Sequence, residues 1–130
     1  MTTVAGVIVF KAKPGLGEEV ARRVAAALPA VETERGTLLW LVLRSNADAD
    51  RIFLVDLFDG EQSLTNHMNG DAASLIFATV PGLLAEDPEM HPSTVVAAKT
   101  TADRPQTSRK NSNQALPPSR SRRTSLQTRQ

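Results

Sequence analysis

Two apolar runs, Leu38-Leu39-Trp40-Leu41-Val42-Leu43 and Ile52-Phe53-Leu54-Val55, stand on either side of a short polar turn, Asn46-Ala47-Asp48-Ala49-Asp50. Successive side chains of a strand point to opposite faces. Leu39, Leu41 and Leu43 therefore oppose Leu38, Trp40 and Val42, and Ile52 and Leu54 oppose Phe53, Val55 and Leu57. An antiparallel sheet with helices on one side normally alternates apolar with polar residues, whereas here both faces need cover. Two helices cover only one. A domain of about 100 residues buries only about 60–70% of its unfolded surface, and a bare face of Leu, Val and Phe exceeds what a monomer usually tolerates. The second face is therefore expected to pack on an identical subunit, as a homodimer.

The remaining elements follow from periodicity and breakers. Residues 4–13 read as a strand through Val7-Ile8-Val9-Phe10, stopped by Pro14-Gly15. Residues 16–28 read as a helix, with Leu16, Val20, Val24, Ala27 and Leu28 on one stripe, Glu18 and Glu19 in the dipole-favoured first turn, and Pro29 ending it. Strands are expected over residues 37–45 and 51–58, joined as a hairpin. Asp59 and Gln62 read as a capping box. The helix they open carries Leu64, His67 and Met68 on one face; a second, capped by Asp71, carries Leu75, Ile76, Thr79 and Val80. A last strand is expected within residues 89–99, on Thr94-Val95-Val96-Ala97-Ala98. The order β-α-β-β-α-β predicts an α+β, ferredoxin-like fold with an antiparallel sheet.

Charge divides the chain in two. Residues 1–99 carry 8 Lys and Arg against 13 Asp and Glu, a net −5, while residues 100–130 carry 7 against 1, a net +6. The first stretch is the expected folded domain. The second, rich in Ser, Thr, Arg and Pro, holds too little apolar surface to offset the entropy of ordering and reads as a disordered basic tail. Its run Ser119-Arg120-Ser121-Arg122-Arg123 lacks interleaved aromatics for base stacking, so a solvated tail is expected rather than a nucleic-acid site. With no cysteine, thiol nucleophiles, disulfides and cysteine metal sites are excluded. No apolar run reaches the roughly 20 residues of a membrane span, and Met1-Thr2-Thr3-Val4 lacks the basic start of a signal peptide. A cytoplasmic protein is expected.

Several local features together resemble the antibiotic-biosynthesis monooxygenase family of dimeric α+β barrels. They are the Lys13-Pro14-Gly15 turn, Arg35-Gly36 ahead of the second strand, Phe58-Asp59 closing the third, and above all Asp59-Gly60-Glu61-Gln62-Ser63-Leu64-Thr65-Asn66-His67-Met68, an acidic cap followed by a helix with one histidine. The resemblance covers residues 4–99. It implies a dimeric barrel and oxygenation without flavin, metal or haem: the protein favours the anion of a small aromatic quinol or polyketide-type substrate, which reacts directly with O₂. The absence of a GxGxxG or Walker loop accords with no cofactor. In the anthrone-oxidising branch an Asn, a Trp and an Arg contribute to the site, and the matching positions here are Leu54, Phe58 and Ala78. In the haem-degrading branch the iron-ligating histidine falls at Phe77. Both departures point towards the quinol-oxidising members.

Such chemistry needs an apolar pocket, a proton acceptor and donors for an oxyanion. His67, on the inward stripe, is the candidate catalytic base, or else a hydrogen-bonded histidine of structural value. Asn66 could donate to an oxyanion, but helix neighbours diverge by about 100°, which favours surface exposure. Trp40 is an aromatic wall for a planar substrate or a core residue. Phe58 is expected to line the pocket. Asp56, a charge inside an apolar strand, is a substrate-binding base with raised pKa if it faces the pocket, or an ion-pair partner of Arg44. His91 is expected in an exposed loop, and no spacing supports a metal site from His67, His91 and an acid. The competing reading is a non-catalytic dimeric barrel that binds a hydrophobic small molecule or serves as an accessory subunit.

Overall fold

The computed structural model describes residues 4–99. Strand β1 (Val4–Lys11) leads to helices α1 (Gly17–Ala25) and α2 (Leu28–Val31), the hairpin β2 (Thr37–Arg44) and β3 (Arg51–Phe58), helices α3 (Glu61–Met68) and α4 (Asp71–Thr79), a 3₁₀ turn (Pro81–Leu83) and β4 (Glu89–Ser93). The sheet order is β2-β3-β1-β4, and every neighbouring pair is antiparallel. This is the expected α+β, ferredoxin-like arrangement. The predicted tail, residues 100–130, lies outside the described residues. Among those described, no helix is long and apolar enough to cross a membrane.

The helices cover one face of the sheet. There Phe10, Ile52 and Leu54 cluster with Val20 and Val24 of α1, Val31 of α2, and Ala72 and Ile76 of α4, all of them buried, and Phe58 is buried on the same face. The other face carries Val7 and Val9 of β1, Phe53, Val55 and Leu57 of β3, and Leu39, Leu41 and Leu43 of β2. Val7 pairs with Val55, which pairs with Leu41, so the apolar rows run continuously across three strands. The three β2 leucines are 39–45% exposed. The sequence pattern of two apolar faces is therefore a property of the fold, and one of the two has no cover within the described chain.

Several boundaries move from where the sequence places them, each for a local reason. Pro29 does not end a long helix. The first helix stops at Ala25, and Pro29 sits in the first turn of α2, where its missing N–H costs nothing because such groups have no partner within the helix. Leu28 consequently turns outward, 43% exposed. Asp59 does not cap α3: its N–H is bonded to the Gly36 carbonyl at 3.0 Å, which keeps it extended, and Gly60 takes the cap position. Asp71 is the first residue of α4, preceded by Gly70 at the cap. Leu75 lies off the buried stripe, which runs through Ala72, Ala73, Ile76 and Val80.

The last strand is the largest displacement. It is formed by Glu89–Ser93, not by Thr94-Val95-Val96-Ala97-Ala98. Register explains this. Ser93 pairs with Ala5, and only Val4 of β1 remains beyond that pair among the described residues, so Val95 and Val96 have little strand left to bond. His91 accordingly lies in a strand rather than a loop, exposed, with Nε2 3.3 Å from Glu89 Oε1.

Candidate functional site

The third strand begins the site. Its inward row is Ile52, Leu54, Asp56 and Phe58, every one buried. Asp56 pairs with Gly6 on one side and with Trp40 on the other, so the three residues form one row across the inner face. Gly6 is there for space: a Cβ at that position would lie 2.8 Å from Asp56 Oδ1, closer than real Cβ atoms come to any neighbour. No hydrogen-bond partner reaches the Asp56 carboxylate among the described residues. Arg44 is not its ion-pair partner, because Arg44 Nε donates to the Ala49 carbonyl in the hairpin turn. Loss of water at this buried position pushes the Asp56 carboxyl up to about 6, against a downward pull from His67 and a further push from Glu34.

His67 comes from the last turn of α3 and is 5% exposed. Its ring packs on Phe58, with centroids 5.0 Å apart and planes tilted by 45°. Its Nδ1 lies 2.7 Å from Glu34 Oε1, an oxygen that also accepts the Thr37 hydroxyl at 2.7 Å. A carboxylate only accepts hydrogen bonds, so an ionised Glu34 fixes the proton on Nδ1 and leaves Nε2 as the ring's free acceptor. A second-strand hydroxyl, a loop carboxylate and a helix imidazole are thus bonded in series.

Two adjoining apolar cavities lie between the helices and the β1–β4 side of the sheet. One, of about 210 Å³, is bordered by Gly6, Asp56, Leu64, Met68, Met90 and Pro92. The other, of about 50 Å³, is bordered by His67 with Leu54, Ile76 and Phe77, and shares Ile8, Met68 and Met90 with the first. The polar side chains on these walls are His67 in the smaller cavity and Asp56 and His91 in the larger, and the rest of the lining is almost wholly carbon. On the far side of His67 a third, polar cleft of about 300 Å³ opens among Glu34, Arg35, Thr37, Asp59, Ser63 and Asn66.

The sequence-predicted residues divide accordingly. His67 and Asp56 both border the apolar cavities. Phe58, fully buried, borders neither and stands behind His67 instead. Trp40 lies on the inner face next to Asp56 but also borders neither cavity, and its buried Nε1 has no hydrogen-bond partner among the described residues. Asn66 is exposed on the polar cleft and accepts a hydrogen bond from Gln62 at 3.0 Å. Glu34 and Gly6 were not singled out in the sequence. Glu34 is 33 residues from His67 and sits outside any periodic pattern; only the folded register brings the two together.

Comparison with known proteins agrees with this architecture. The sequence pattern described as antibiotic biosynthesis monooxygenase matches residues 3–78, more than half of the chain. The chain belongs to the antibiotic biosynthesis monooxygenase family. Among solved structures, a protein of unknown function from Nitrosomonas europaea is 31% identical, with 77% of this chain and 95% of that one covered and a TM-score of 0.69. A provisionally assigned antibiotic biosynthesis monooxygenase from the same organism is 15% identical over 73% of this chain and 91% of its own, with a TM-score of 0.68. Another with that provisional name, from Caulobacter crescentus, is 18% identical over 74% and 92%, with a TM-score of 0.67. The last two likenesses establish the fold. No curated protein matches the chain.

Proposed function

We propose that the chain is a cofactor-independent monooxygenase that oxidises a small aromatic quinol with O₂, with His67 as catalytic base. The observation that supports this reading is a buried imidazole whose Nδ1 is held by Glu34 at 2.7 Å while the same ring borders an apolar cavity. Nε2 is the acceptor for a phenolic proton. Asp56, raised to about 6, receives a second hydroxyl of the same ring. Phe58 fixes the imidazole plane and acts on the substrate through it, Trp40 supports the Asp56 row, and Asn66 serves the polar cleft.

The size of the cavity narrows the substrate. An apolar cavity of about 150 Å³ accepts benzene, so the cavity of about 210 Å³ beside Asp56 accepts one substituted ring, one hydroxyl of which reaches into the adjoining cavity of about 50 Å³ to meet His67. Taking the phenolic proton leaves an electron-rich ring anion. That anion passes one electron to O₂, and the resulting radical pair combines into a C–O–O⁻ peroxide. Protonation of the peroxide and loss of water across the adjacent C–H bond leave a carbonyl; one oxygen atom enters the product and the other leaves as water. An apolar wall suits this sequence because it admits O₂ and keeps competing proton donors away from the anion.

The same proposal includes a homodimer. The uncovered face, which includes Leu39, Leu41 and Leu43 of the edge strand β2, is closed by the matching face of a second copy.

Oxygen consumption by the purified protein without added cofactor, against a panel of quinols, naphthols and hydroxylated anthrones, tests the reading. Uptake is expected, highest with single-ring quinols, and reduced about 100-fold or more in His67→Ala with folding intact. Unchanged uptake in that variant removes His67 from the mechanism. A flat trace across the panel favours a dimeric barrel that binds a hydrophobic molecule without turning it over.

A further inference from the structure

The proposed chemistry requires a proton to leave a cavity that offers it almost no polar surroundings, and to return when the peroxide forms. His67 is the side chain common to the apolar cavity and the polar cleft. Its ring is 5% exposed, so the imidazole itself is nearly closed to solvent. Glu34, bonded to its Nδ1, borders the cleft on the other side, with its Oε1 anchored by the Thr37 hydroxyl. The groups facing the imidazole are then few: Glu34 from the loop ahead of β2, Asp56 from β3, and the Phe58 ring, while Asp59 and Arg35 border the cleft beyond.

We propose that His67 and Glu34 form a two-way proton relay between the apolar cavity and the polar cleft, with Glu34 as its outer, positioning member. The inference rests on the oxygenase reading for its purpose, but not for its test. On the outward stroke the substrate O–H bond breaks, its electron pair stays on the oxygen, and the proton bonds to Nε2. The Nδ1–H bond breaks at the same time, its pair stays on the ring, and that proton bonds to Glu34 Oε1. Glu34 then gives the proton to water in the cleft. The ring is neutral again with its proton moved to Nε2, where it donates a hydrogen bond to the new anion. On the return stroke Nε2–H protonates the C–O–O⁻ group and Nδ1 takes a proton back from Glu34, which water has recharged. Both strokes together restore the starting tautomer and change no net charge.

The chain has two histidines, His67 and His91, so ¹⁵N-histidine NMR of the full-length protein resolves the ring signals and His91→Gln assigns them. Phenol at saturating concentration supplies the proton to Nε2, since a neutral ring that lost Nδ1–H without gaining one there would be left as imidazolate. The relay predicts that the His67 Nδ1 proton exchanges with water much faster than global unfolding allows, despite the burial of the ring. In Glu34→Gln the side-chain carbonyl still accepts the Nδ1–H bond but carries no proton, and exchange is expected to slow at least tenfold; Glu34→Asp restores a proton carrier and recovers part of the rate. Equal rates in wild type and Glu34→Gln overturn the relay. Should Glu34→Gln fail to fold, the wild type decides alone: exchange that tracks global unfolding in denaturant overturns the proposal, and exchange that outruns it supports it. Slow exchange with robust oxygen uptake sinks the relay and leaves the oxygenase standing. Fast, Glu34-dependent exchange with no uptake does the reverse.

Discussion

On the helix side of the sheet Ile52, Leu54 and Phe58 are sealed to 2% exposure or less, while on the opposite side Leu39, Leu41 and Leu43 remain 39–45% exposed. The two faces are built from the same strands and from much the same residue types, yet they serve different ends. The inner face is covered by four helical segments, and their fit over the β1–β4 side is incomplete. Into the gap left there the chain places its few buried polar groups, Asp56 and His67, with Gly6 giving up a side chain to admit a carboxylate. Across its centre the outer face holds Leu, Val and Phe without a polar break from Val7 through Val55 to Leu41. A cover that comes from the same chain can be imperfect and chemically useful. A face with no such cover is the one the proposed dimer uses.

That contrast can be broken at three points. The largest effect belongs to the inner face. Phe58→Ala removes a fully buried ring and the surface against which His67 rests, and is expected to cost about 3–5 kcal/mol in denaturant unfolding. A loss below about 1 kcal/mol would mean that the inner face is no better packed than the outer. Next comes the carboxyl. Its folded value near 6 lies above the ordinary 3.8, so ionised Asp56 opposes folding above pH 6, and that opposition fades as pH falls through 6 towards 4. The stability of Asp56→Asn relative to wild type should therefore rise by up to about 3 kcal/mol between pH 4 and pH 8. A pH-independent difference would place the carboxyl in contact with water. The smallest effect on the protomer is expected from Leu41→Glu. It should leave the protomer's own stability within about 0.5 kcal/mol, yet shift the proposed dimer to monomer in sedimentation, because the carboxylate would have to be buried in the contact. A variant that sediments as wild type would assign the face another occupant.

The fold was largely legible because its signals are periodic. Two unbroken apolar runs about a polar turn specified the hairpin and its two apolar faces, and the spacing of Val20 and Val24 specified the inward side of α1. What was displaced depended on pairing rather than pattern. The valines at 95 and 96 have high strand propensity, but the register with β1 is taken up by Glu89–Ser93, whose composition gave little sign of a strand. Asp59 offered a good capping side chain, but its backbone was already engaged by Gly36. The site shows the same division. Asp56 was visible as a charge among apolar neighbours and His67 as the histidine on an apolar stripe. Glu34 was not visible, since an acid in a connecting segment carries no mark of the partner the fold will bring to it.

Both margins of the sheet discourage growth. Along β4, Pro92 withholds a backbone donor, and at the start of β2 the register shifts between Thr37 and Leu39, setting Leu38 out of line. Strand-by-strand extension, the route to open-ended fibrils, meets an irregular border at either side. In the dimer proposed above, association is steered instead to the exposed apolar face, where a two-fold pairing would use up the adhesive area of both partners and leave nothing for a third.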